Sequence, residues 1–243
     1  MDSLVKKLLL AIAAMALNLS LAIGGTLMLC TDTQTTVNVM TFGSLHIRLD
    51  ENVGKNGVMQ QGPVVGGGYD WTNLLPGDVI NKEPYVTHTG GTDAYLRVKA
   101  VLRYDGWDQL SQAKQQAILD FVNDGIVSTL GDTWVCVPAD GFAAANTAVY
   151  FYYTPDYVDP QRVTFPPLAV FSQGDVTPPV FASFTIPEDY SSDMIADVTF
   201  DIDLTAQAVQ TAHNGYDFTP GAGAAQGDYE AALAAAFAVF GNN

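Results

Sequence analysis

Apolar and polar residues alternate with a period of two through much of this chain. Over residues 44–50, Leu45, Ile47 and Leu49 share one face, while Ser44, His46, Arg48 and Asp50 share the other. Over 94–104, "AYLRVKAVLRY", Leu96, Val98, Ala100 and Leu102 oppose Tyr95, Arg97, Lys99 and Arg103. Over 196–204, Val198, Phe200, Ile202 and Leu204 oppose Asp197, Thr199, Asp201 and Asp203. Successive side chains of an extended chain point to opposite sides, so each run predicts a strand with one buried and one wet face. Half-wetted strands belong to antiparallel sheets, because parallel strands are buried on both faces and read as unbroken apolar runs. Phe200 is accordingly expected in the core and Asp201 in solvent.

Further β-rich runs at 84–89, 146–154 and 181–186 are separated by turn clusters: "LLPGD", "TGGTD", "YTPDYVDP" and "VTPP". In the first of these Pro76 presets φ and Gly77 supplies a positive φ. Short strands at this spacing predict an all-β, antiparallel two-sheet sandwich. Residues 52–73, with Gly54, Gly57, Gly62 and Gly66, read as one long loop. Two short helices interrupt the β pattern. Leu110, Ala113, Ala117, Ile118, Phe121 and Val122 recur at helical spacing, with Asp108 as the expected N-cap and Gly125 as the expected stop. Near the carboxyl end an alanine-rich run places Tyr229, Leu233, Phe237 and Phe240 at similar spacing behind Asp228. No internal repeat is visible. The expected layout is one β-sandwich domain over 29–243.

The amino-terminal segment changes the picture of where the protein works. Residues 8–30 carry no charge and follow Lys6 and Lys7, the layout of a secretory signal peptide. The run is long enough to cross a bilayer, but Gly24 and Gly25 interrupt it and no basic residue follows closely. A signal peptide over 1–28, cut between 24 and 28, is therefore expected. A secreted protein, extracellular or at the cell surface and with no membrane attachment after processing, follows from that. The formal charge is −16 with a pI near 4.1. A field of that sign repels nucleic acid and anionic lipid.

Candidate chemistry is sparse. His46, His88 and His213 are scattered, and no H-E-x-x-H pair exists to hold zinc from one helix. No nucleophile elbow, Walker loop or dinucleotide fingerprint is present. No catalytic residue, metal ligand or cofactor is assigned. Asp197, Asp201 and Asp203 share a strand face but lack the glycine-turned loop of a calcium site. Cys30 and Cys136 form an even pair that export would permit to join in a disulfide; two unpaired thiols are the alternative. The stretch "LCTDTQTTVNVM", residues 29–40, is extended in character but poor in anchors. Thr31, Thr33, Thr35, Val37 and Val39 line one face, all β-branched and none bulky. A strand of this kind holds by pairing its backbone rather than by burial.

Residues 24–51, "GGTLMLCTDTQTTVNVMTFGSLHIRLDE", resemble the start of the TasA/camelysin family of secreted biofilm-matrix proteins, through Gly24, Gly25, Thr26, Asp32, Phe42, Gly43, Leu45 and Ile47. Cys30 stands where that family has an aromatic residue before Thr-Asp. The segments at 74–102 and 177–210 resemble later blocks of the same family. The resemblance implies a jelly-roll-like sandwich, processing by a dedicated signal peptidase, and fibre assembly. It implies copies of the chain as partners and other matrix components beside them. The anchor-poor strand 29–40 is expected to insert head to tail into an open sheet edge of the next copy, and folding back into its own sheet is the alternative. Some members are labelled metallo-endopeptidases, which makes a peptidase the first rival reading. A surface- or carbohydrate-binding module using Tyr152, Tyr153 and Tyr157 is the second.

Overall fold

A computed structural model of the chain describes residues 31–35, 45–59, 64–65, 74–104, 106–144, 147–155, 168–188, 200–212 and 226–241. The expected signal peptide, Cys30, Val37, Val39, Tyr157, Asp197 and His213 lie outside them. Ten strands and two α-helices are described: β1 (Thr31–Thr35), β2 (Ile47–Lys55), β3 (Val58–Met59), β4 (Val64–Val65), β5 (Val79–His88), β6 (Ala94–Arg103), α1 (Gln112–Ser128), β7 (Trp134–Val137), β8 (Ala148–Tyr153), β9 (Ser183–Thr185), β10 (Asp201–Gln210) and α2 (Gln226–Phe240). The strands form two antiparallel sheets. The first has the order β1-β10-β6-β8-β7; the second runs β3-β2-β5-β9, with β4 also on β2. The all-β sandwich read from the alternation is the observed fold.

The inner faces meet as the period-two pattern requires. Ala94, Leu96, Val98, Ala100 and Leu102 of β6 and Leu204, Ala206 and Ala208 of β10 are buried in one cluster with Ile47, Ile80 and Val86 of the second sheet. Phe151, Phe181 and Phe184 knit the layers, with ring centroids 6.0 Å apart for Phe151–Phe181 and 5.7 Å for Phe181–Phe184. Phe200 falls just before β10 and is half-buried against Phe121, while Asp201 is exposed as expected.

One flank of the sandwich is sealed. Helix α1 begins at Ser111, whose Oγ accepts from the Lys114 N–H, and not at Asp108, which lies in a preceding 3-10 turn. It also runs through Gly125 instead of stopping there. A Cβ at Gly125 would lie 2.1 Å from the Phe184 ring, so the glycine lets β9 approach the helix; it does not end it. Thr129 Oγ1 accepts from the Ala182 and Ser183 N–H groups, which covers the outer edge of β9. All four residues of β7, the matching edge of the first sheet, are buried.

The other surprise is a third layer. Helix α2 lies on the outer face of the first sheet, where Ala232, Ala236 and Phe240 pack with Val135, Val137, Tyr152 and Val209. The alternation cannot distinguish a wet face from one covered by a distant helix, so Arg97, expected in solvent, is fully buried. The 52–73 stretch is not simply a loop either. β2 continues to Lys55 and turns at Asn56 and Gly57 (φ 51° and 79°) into β3. Two positive φ angles in a two-residue hairpin are what an Asn-Gly pair adopts.

Candidate functional site

The sheet register brings one row of residues into line across all five strands of the first sheet: Thr33, Gln207, Arg97, Tyr152 and Val135. Its centre is Arg97. The Arg97 Nε donates to Gln207 Oε1 at 2.6 Å, Nη1 to the Tyr152 hydroxyl at 3.2 Å, and Nη2 to the Gly241 carbonyl at 3.3 Å. The guanidinium lies between the rings of Tyr150 and Phe240, 4.5 and 4.6 Å from their centroids. A buried cation costs several kcal/mol unless it is compensated. Here the compensation comes from three oxygen acceptors, two π faces and the negative end of the α2 dipole just before Gly241. Burial pushes the Tyr152 hydroxyl up to about 12, against the opposing pull of Arg97, so it stays protonated.

This row fixes the position of β10, and β10 carries the edge. On one side all ten residues of β10 pair with β6; on the other, the described residues of β1 pair with Thr205–Val209. Thr31, Thr33 and Thr35 stand in register with Val209, Gln207 and Thr205. In this single chain the amino-terminal strand therefore occupies the edge beside its own β10. Val37 and Val39 are outside the described residues. Of the sites singled out from sequence, Thr33 and Tyr152 fall in the Arg97 row, with Thr31 and Thr35 in register on either side of it. That row has no motif. The visible clues were an arginine inside an apolar strand and a carboxyl-terminal helix whose apolar side needed a surface.

The other candidates separate. Cys136 is buried, with its Sγ 3.2 Å from the Pro138 carbonyl, whereas Cys30 is outside the described residues. Tyr152 is buried and Tyr153 packs against Trp134 and Phe171, so neither is the exposed aromatic that a carbohydrate platform needs. His88 is buried with its ring against Phe171 and Nε2 2.9 Å from the Thr92 carbonyl. Among the described residues its Nδ1 has no hydrogen-bond partner, and no second imidazole, thiolate or carboxylate set converges on it. Among the described residues no three His, Cys, Asp or Glu side chains are placed to hold a metal ion. The described residues thus do not fit a zinc centre.

Among the described residues no helix is long and apolar enough to cross a membrane. No curated protein and no solved structure matches the chain. Residues 3–116 match the family model described as camelysin metallo-endopeptidase. That span runs from the expected signal peptide through β1, β2, β5 and β6 into the start of α1, and so includes both the edge strand and the Arg97 position. Over residues 3–116, just under half of its length, the chain is similar to the camelysin family.

Proposed function

We propose that the protein is a secreted structural subunit that polymerises by passing its amino-terminal strand, residues 29–40, to the β10 edge of the next copy. The observation that supports this reading is the make-up of β1 and its place at an edge. β1 reads Thr-Asp-Thr-Gln-Thr, without one large apolar residue, and lies against β10 through Thr205–Val209. Such a strand is held mainly by main-chain hydrogen bonds, which a second copy offers equally well. Exchange between its own edge and a neighbour's therefore costs little in contacts; concentration and the connection to the rest of the chain decide the outcome. Continued in the same register, a donated strand would place Val37 and Val39 opposite Asp203 and Asp201, along the whole edge. Because donor and acceptor are different surfaces, the contact repeats head to tail, and it grows a filament wherever the rotation between copies does not close a ring.

A peptidase activity is the reading the family's description favours, but the described residues supply it with no metal-binding set. The decisive experiment deletes residues 29–40 from the exported, processed protein. The expected result is a folded, monomeric sandwich by sedimentation and no fibres by electron microscopy. Fibres formed by the deleted protein as readily as by the intact one would overturn strand donation. Metal-dependent proteolysis by the pure protein, lost on His88→Ala with the fold intact, would favour the peptidase.

A further inference from the structure

Five large apolar side chains are exposed among the described residues: Val58, Met59, Leu75, Val170 and Val176. Single exposed apolar residues are ordinary. These five are not scattered. Val58 and Met59 form β3, paired with Gly54 and Lys55 at the end of β2, and Leu75 begins the turn that leads into β5. That end of the sandwich holds the start of β5 and the finish of β6. Val170 and Val176 are at the opposite end, flanking the bridges of Phe171 to Ala94 and of Val176 to Thr87.

Both patches sit on stiffened turns. Asp78 Oδ2 accepts the Leu75 N–H at 2.9 Å, Asp78 Oδ1 accepts from Asn56 Nδ2 at 2.8 Å, and Lys55 Nζ lies 2.6 Å from Asp78. At the far end Asp175 Oδ2 accepts the Ser172 N–H at 2.8 Å, and the Gly174 N–H donates to the His88 carbonyl. Apolar groups held rigidly in solvent lose little freedom when they are covered.

Strand polarity decides what would cover them. β1 runs from the level of Val209 toward Thr205, that is, away from the Val170–Val176 end and toward the Leu75 end. The body of the donating copy starts at Leu45 and His46, whose carbonyl accepts from the Thr89 and Gly90 N–H groups at the Val176 end. A donated strand thus leaves the acceptor at its Leu75 end and enters its own copy at the Val176 end. If residues 29–40 are all donated, only residues 41–44 lie between Met40 and Leu45. Five Cα–Cα steps reach at most about 18 Å. The two ends are then held within about that distance of each other.

We infer that successive copies make a second contact, end to end, with Val58, Met59 and Leu75 of one copy against Val170 and Val176 of the next. The inference rests on the strand-donation reading, which supplies the polarity. The contact joins two different surfaces, so it adds affinity and sets the angle between copies without closing the assembly.

The test is cross-linking of assembled protein with a short dimaleimide, on a Cys30→Ser background in which Cys136 is buried. Met59→Cys and Val176→Cys are made singly and together. The double variant is expected to give a ladder of covalent oligomers while each single variant stays monomeric on denaturing gels. Cross-linked dimers from Met59→Cys alone would mean that like ends meet, and would overturn the inference. So would fibres of the double variant that yield no ladder. The deletion of 29–40, run beside it, separates the two ideas. Polymer and ladder that survive the deletion sink strand donation and leave the contact standing; polymer lost on deletion, with no ladder in the undeleted double variant, sinks the contact alone. As a second measurement, Leu75→Asp is expected to leave melting unchanged and slow assembly at least tenfold. An unchanged assembly rate overturns the contact.

Discussion

Arg97 shows how a single side chain ties the helix layer to the sheet. Arg97→Met removes the donor from Gln207, Tyr152 and Gly241 together. Hydrogen bonds to a charged group are worth roughly 1.5–3 kcal/mol each. The expected loss is about 3 kcal/mol or more in urea denaturation, with earlier proteolysis within α2. Arg97→Lys keeps the charge but cannot span three acceptors, so it should recover only part of that loss. Gly125 makes a contrary point about space. With a Cβ 2.1 Å from the Phe184 ring, Gly125→Ala is expected to cost about 1–3 kcal/mol in spite of the better helix propensity of alanine. Pairing it with Phe184→Leu should recover stability, and the same denaturation series would show it. Neither role was legible in the sequence. Alternation records which side of a strand a residue takes, but Arg97 is buried by a helix more than 120 positions away, and Gly125 is fixed by β9.

At the level of elements, the turns were the most readable feature and their coupling the least. "LLPGD" reads as a turn and Gly77 has the expected positive φ, whereas the Asn56–Gly57 turn lies inside the stretch read as one long loop, although its residues suit its backbone angles equally well. What joins them is Asp78. Its carboxyl is held at about 2, chiefly by the Asn56 hydrogen bond, then by Lys55 and the Leu75 N–H. Because this value is below that of an unfolded aspartate, the stability it lends is complete above the usual carboxylate range and fades as the pH falls toward 2. Melting temperature measured from pH 5 to pH 2 should therefore fall more in the wild type than in Asp78→Asn. The two proteins should converge near pH 2. Parallel curves across that range would mean that the carboxylate does not clamp the turns. Three partners from two turns meet on that one side chain, and no local pattern announces such a meeting.

For the molecule as a whole, the two-sheet sandwich could be read from the alternation, most plainly in the inner face of β6, although β2 departs from it: Asp50, expected in solvent, is buried and Leu49 only half-buried. Strand order could not, since pairing of β10 between β1 and β6 depends on contacts far apart in sequence. The amino-terminal strand was legible as a pairing segment from its lack of bulky residues, whereas its place beside β10 needed the sheet. The two flanks of the sandwich differ sharply. On one, among the described residues, Thr129 takes two backbone N–H groups beside β9 and β7 is fully buried. On the other stands β1. A filament built by donation along β10 would use one such rail per copy, and that rail would be consumed in making the filament. Its width is then set by one molecule, and bundling into thicker cables would have to rely on side-chain contacts, which the strongly negative surface discourages until salt or acid weakens the repulsion.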